Sequence, residues 1–133
     1  MDALMFKKMK VKPGCSAMVF HAPADYPKSE EYVWQNTGKA DFIHLFTESR
    51  EQFMSRFPDA AEACKDNGSF WVSYPKSKGK KVYDINRDSL WGLLQSVGFH
   101  PVSQIAPDEE WSALRVKRNE PGVVYEPPGN VKK

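Results

Sequence analysis

Asp41-Phe42-Ile43-His44-Leu45-Phe46-Thr47 is a nearly continuous apolar run, the pattern of a strand covered on both faces. It reads as the central strand of a sheet. Ser49 with Gln52 three residues later then makes a capping-box signal, and Phe53, Phe57, Ala60 or Ala61, and Cys64 recur at helical spacing up to a stop at Asn67-Gly68. Pro58 is expected to kink that helix or to begin its second half. Ser69 to Tyr74 reads as another inner strand, ended by Pro75. Strand, helix and strand in this order predict a right-handed crossover and parallel pairing.

Outward from this unit the alternation continues. Ser16 to His21 is a short buried strand, entered through Pro13-Gly14 and closed by Ala22-Pro23. Residues 23–31 hold Pro23 and Pro27 and leave room for a helical turn before Tyr32 to Asn36, an edge strand. Downstream, Asp84 or Asn86 caps a helix with the stripe Leu90, Leu94 and Val97, widened by Trp91 and stopped at Gly98. Pro101 to Ala106 and Trp111 to Lys117 form an antiparallel hairpin across Pro107-Asp108-Glu109-Glu110. Along its second strand Trp111, Ala113 and Arg115 fall on one face, and Ser112, Leu114 and Val116 on the other. Phe6 to Lys12 alternates basic and apolar residues and is expected to be a solvated lead-in strand or arm.

The fold class is α/β, a small and mostly parallel Rossmann-like sheet with a C-terminal antiparallel hairpin. Residues 1–118 form one domain, with its core at about 12–118, and 119–133, rich in Pro and Gly, form an extended or flexible tail. At 133 residues, with 41% hydrophobic and 27% charged, the chain is long enough to bury a core and far from the composition of disorder. Nineteen Lys and Arg against seventeen Asp and Glu leave a charge of +2, too weak a bias to point to nucleic acid or membrane. Cys15 and Cys64 form no CxxC pair and have no His at zinc-ligand spacing, so reduced thiols and no metal are expected. No apolar run is long enough to span a bilayer and the N-terminus lacks a signal-peptide core, so the expected location is cytoplasmic.

The closing half, with a helix ending in Asn67-Gly68, the strand Phe70-Trp71-Val72-Ser73-Tyr74, a helix ending in Gly98-Phe99 and a terminal hairpin, resembles a truncated class I S-adenosylmethionine-dependent methyltransferase. Tyr74-Pro75-Lys76, Asp84 to Asp88 followed by Leu90-Trp91, and Trp111 to Arg115 are similar to a family of small bacterial proteins of unknown function. The resemblance implies a fold; it supplies no chemistry. Two departures argue against S-adenosylmethionine, and no cofactor is expected. The turn after the first strand, His21-Ala22-Pro23-Ala24-Asp25-Tyr26, has no glycine to let backbone approach a cofactor. Asn36 and Thr37 stand where a ribose-binding carboxylate is expected.

Ligands of open α/β sheets sit beyond the carboxyl ends of the strands. That rule selects His21, Asp25, Tyr26, Thr47, Glu48, Ser49, Tyr74, Lys76 and Ser77 as candidate binding residues. Lys76, Lys78, Lys80, Lys81 and Arg87 gather positive charge beside the helix that starts near Asn86, which favours a small anionic ligand, with a solvated loop as the plainer alternative. His21 and Tyr74 are the candidate proton-handling groups; His44, within the most apolar strand, reads as a core histidine. Ser49, Ser73 and Ser77 lack a nucleophile elbow.

These features favour a non-catalytic module that binds a partner protein or a small anionic ligand. The alternatives are a divergent methyltransferase-like enzyme and a homodimeric scaffold joined by a sheet edge or by a Tyr32 and Trp34 patch.

Overall fold

The pairing expected for the 41–47 run governs the architecture. The computed structural model describes residues 1–77 and 83–123. Its elements are α1 (Met5–Lys8), β1 (Ser16–Phe20), β2 (Val33–Trp34), β3 (Ala40–Phe46), α2 (Arg50–Ala63), β4 (Cys64–Pro75), α3 (Arg87–Ser96), β5 (Phe99–Ile105) and β6 (Trp111–Arg118). The strands form one sheet in the order β2-β1-β3-β4-β6-β5. The first four are mutually parallel, while β6 runs antiparallel between β4 and β5. The mostly parallel sheet and terminal hairpin are therefore present, with β3 in the interior.

Period-2 alternation divides the core into two layers. On one face Ile43, Leu45, Phe70, Val72, Leu114 and Val116 pack against Phe53 and Phe57 of α2 and Leu90 and Leu94 of α3. On the other, Ala17, Phe42, Trp71 and Ala113 are covered by Met5, Phe6, Met9, Val11 and Tyr32. The lead-in segment is thus neither solvated nor an arm: α1 buries Met5 and Phe6 on a face of the sheet that no long helix covers among the described residues. Phe6 gathers Tyr32, Trp34, Phe42 and Tyr26 at ring separations of 5.0, 6.0, 6.0 and 6.1 Å. Tyr32 and Trp34 therefore do not form an exposed patch. The Tyr32 hydroxyl donates to the Val11 carbonyl at 3.2 Å and Trp34 Nε1 to the Ser29 carbonyl at 2.8 Å.

Ser49 caps α2, its Oγ accepting from Gln52 N–H at 3.1 Å, and Gln52 Oε1 accepts in return from Glu48 N–H at 2.7 Å. The helix runs through Pro58 and ends at Ala63, passing directly into β4, so Asn67-Gly68 is not its stop. Those residues lie in a bulge, where Ala40 faces Cys64 but Phe42 faces Ser69. A Cβ at Gly68 would come within 2.9 Å of both the Asp41 carbonyl oxygen and Cys64 Sγ, so close packing requires glycine. Asn86 caps α3 in a reciprocal pair with Ser89, and Gly98, at φ +82°, turns the chain into β5. Asn119 N–H donates to the Gly98 carbonyl at 2.8 Å, and the tail from residue 124 lies outside the described residues. Cys15 and Cys64 are free, and burial pushes the Cys64 thiol up to about 11. Among the described residues no helix is long and apolar enough to cross a membrane.

His44 is fully buried in β3, with Nδ1 3.0 Å from the Tyr26 hydroxyl and Nε2 2.6 Å from Ser73 Oγ. A neutral imidazole has one donor and one acceptor, and each hydroxyl can complement either. Burial lowers its pKa from 6.5 to about 3. The unfolded chain therefore takes up this proton first, and the contribution of His44 to stability falls as pH drops from 6.5 toward 3 and is flat above. The slope is at most about 1.4 kcal/mol per pH unit. Thermal melts across this range should show that His44→Phe is destabilised at pH 7 by about 1–3 kcal/mol, from two orphaned hydroxyls, yet has a shallower decline between pH 6.5 and 4. An identical acid decline in both proteins would refute the neutral buried histidine.

Candidate functional site

The chain leaves β1 for β2 on one side, and leaves β3 through α2 for β4 on the other, so the topological switch lies outside the carboxyl ends of β1 and β3. A cavity of about 530 Å³ occupies that position. Pro23 and Asp25 come from the loop after β1, Glu48 from the turn after β3, and Asp108, Glu109, Glu110 and Trp111 from the β5–β6 turn. Antiparallel pairing explains the last group. Trp111 opens β6 opposite Pro75, where β4 ends, so the hairpin turn returns to the carboxyl rim. Lys76 N–H donates to the Glu110 carbonyl at 2.9 Å, fixing the turn there. The Asp108 carboxylate accepts from Glu110 N–H at 2.8 Å and Trp111 N–H at 3.0 Å, and the Trp111 ring stands edge-on to Phe46 at 4.9 Å.

Five of the seven lining residues are carboxylates. Asp25 pairs with the Met1 ammonium at 2.6 Å, whose hydrogen bond holds the carboxyl below its usual range. Like charges around one cavity draw in a cation and repel an anion. The small anionic ligand expected on this rim thus meets the wrong sign of charge, and Lys78, Lys80 and Lys81 lie outside the described residues. Among the described residues no group of three or more His, Cys, Asp or Glu converges to hold a metal ion.

Of the sequence-selected residues, the cavity brings together Asp25 and Glu48. Tyr26 is turned inward to His44, and burial raises the pKa of its phenol. Thr47 is fully buried and donates to the Ser49 carbonyl at 3.1 Å, while Ser49 serves as the cap of α2. Tyr74 faces the helical layer, its hydroxyl pKa raised by burial against an opposing hydrogen bond with Ser112. Tyr74 is 4% exposed. Lys76 is half-buried, and exposed Ser77 accepts at Oγ from Tyr83 N–H at 3.3 Å. Arg87 lies on α3, where its guanidinium donates to Gln104 Oε1 at 3.5 Å beside a separate crevice. His21 is exposed on the rim outside the cavity lining, with its pKa lowered by desolvation and then by Arg56. The sequence reading missed Asp108, Glu109, Glu110 and Trp111; the available signal was that an antiparallel last strand must begin at the carboxyl rim.

No family model and no curated protein matches the chain. Solved structures do. Ribosomal protein L11 methylase from Lactobacillus delbrueckii subsp. bulgaricus is 14% identical, with 88% of this chain and 76% of that one covered at a TM-score of 0.56. A putative type 11 methyltransferase from Sulfolobus solfataricus is 9% identical, with 91% and 93% covered and a TM-score of 0.56. Magnesium protoporphyrin IX methyltransferase from Synechocystis PCC 6803, solved with bound SAH, is 11% identical, with 86% and 79% covered and a TM-score of 0.55. These likenesses establish the fold, a truncated form of the class I S-adenosylmethionine-dependent methyltransferase sheet.

The expectation of no cofactor, with S-adenosylmethionine argued against, is corrected by the same finding, because a protein of this fold holds SAH. The missing glycine is also less decisive than it reads in sequence. His21 adopts φ +60°, so the chain makes a left-handed turn at the end of β1 with a non-glycine residue. His21→Gly should relieve that strain and, after the entropy glycine adds to the unfolded state, raise stability by about 0.5–1 kcal/mol in denaturant unfolding. A loss of stability would show that the imidazole makes a compensating contact.

Proposed function

We propose that the chain is a methyltransferase-like protein whose acidic cavity outside β1 and β3 binds S-adenosylmethionine, a sulfonium, or its thioether product, through the ligand's cationic groups. The observation that carries this reading is the convergence of Asp25, Glu48 and the Asp108 to Glu110 turn around Trp111 at the topological switch. The donor set fits the group's cationic centres by charge. Carboxylates complement an ammonium and a sulfonium, and an indole offers a face to a cation or an aromatic base. The ribose-binding carboxylate expected after β2 is absent, since exposed Asn36 and Thr37 stand there, so recognition rests on the rim carboxylates.

When bound, the sulfonium would supply a transferable methyl group. Glu48 and the Asp108 to Glu110 turn would hold the positive charge, Asp25 being already paired with the Met1 ammonium, and Trp111, braced by Phe46, would wall the cavity. His21 stands on the same rim with a lowered pKa, so its imidazole is largely unprotonated at neutral pH and can accept a proton from an incoming nucleophile.

Calorimetric titration with S-adenosylmethionine, SAH and adenosine tests the reading. The two charged compounds should bind in a salt-sensitive manner and adenosine more weakly. Glu48→Gln should weaken S-adenosylmethionine by roughly 5-fold, as the loss of one exposed charge, and leave adenosine unchanged. No heat with either charged compound, or equal affinity for adenosine, would overturn it.

A further inference from the structure

We propose a second site at the opposite end of the sheet, a cationic cavity at the amino end of β4 that takes a phosphate-bearing ligand of about mononucleotide size. It does not depend on the carboxyl-end reading. Because β6 is antiparallel, the end that carries its charge lies at the amino rim. Arg115 pairs across from Trp71, Lys117 from His100, and Arg118 from Phe99. Together with Lys65 from the bulge at the start of β4, they line a cavity of about 360 Å³ whose apolar wall includes Phe70 and Phe99. That volume lies in the range of small-molecule sites, roughly 300–1,000 Å³.

Charge separates this cavity from an ordinary solvated surface. Asp66 is the one carboxylate among the lining residues. Lys65 is already paired with Asp41 at 3.4 Å, but among the described residues no carboxylate lies within ion-pair distance of Arg115, Lys117 or Arg118. Arg115 also keeps a buried Nε donor without an acceptor. A buried donor left unmet is destabilising, a cost that a bound acceptor would relieve. The Arg118 guanidinium lies over the Phe99 ring at 4.9 Å, which occupies its planar face and leaves its N–H edges for an oxyanion. Among the described residues these three cations have no counter-ion; Arg118 shares the face of Phe99 while Arg115 and Lys117 project from the other face, so a phosphate dianion at this rim can accept charge-assisted hydrogen bonds from both sides. The aromatic wall then suits the base or sugar of a nucleotide. Gly68 maintains the site by allowing the bulge to close on Asp41 and Cys64.

The test is amide-resolved NMR titration of the full chain with UMP, which lacks the adenosyl group, with parallel arms of inorganic phosphate and a short RNA. Saturable shifts confined to the amides of 65–68 and 115–118 are expected with UMP, and weaker shifts at the same amides with phosphate. Lys117→Gln, an exposed change that spares the core, should weaken UMP binding about 5-fold, and Lys117→Gln with Arg115→Gln at least about 10-fold, while adenosyl titration at the other rim is unaffected. Absence of saturable shifts, shifts at the carboxyl rim, equal affinity in the variants, or binding by RNA alone would each overturn the proposal.

Discussion

A strand buried on both faces is the constraint on which the molecule depends. β3 exposes almost none of its side chains, so each face needs its own cover. The helices α2 and α3 supply one layer in the ordinary manner of an α/β sheet. The other is assembled from fragments: the single turn of α1, the aromatics Tyr26 and Tyr32 between β1 and β2, and the hydrogen-bonded chain from Tyr26 through His44 to Ser73. Such a layer has few apolar side chains to offer, which explains why Phe6 touches four aromatic rings and why a histidine can occupy the centre of the sheet. A polar group there is tolerable because both ring nitrogens have partners.

Sheet direction also separates charge. Parallel strands deliver the loops after β1 and β3 to one rim, and the antiparallel β6 begins at that rim and ends at the other. Its leading turn is acidic and its trailing end basic, so one strand contributes Asp108 to Glu110 beside one cavity and Arg115 to Arg118 beside another. A nearly balanced total charge conceals two local fields of opposite sign.

The fold neighbours share this sheet at low identity, and in this chain the rim outside β1 and β3 has a lining of its own. A left-handed His21 stands at the turn where glycine is expected, and carboxylates from the hairpin close the opposite wall. A shared sheet with a different lining is a common way for one architecture to hold different sites.

The strands, the α2 and α3 caps, the parallel order and the final hairpin were legible in the sequence, because apolar periodicity and local capping chemistry act over a few residues. Ser49 with Gln52, and the alternation from Trp111 to Val116, carried that information directly. The folding of α1 onto the sheet, the diversion of Tyr26, Thr47 and Tyr74 into the core, the bulge at Gly68 and both charged cavities were decided only by tertiary structure. Each depends on residues far apart in the chain meeting across a rim or a sheet face. Periodicity reports which side of a strand a residue occupies, but not which distant segment arrives to cover it.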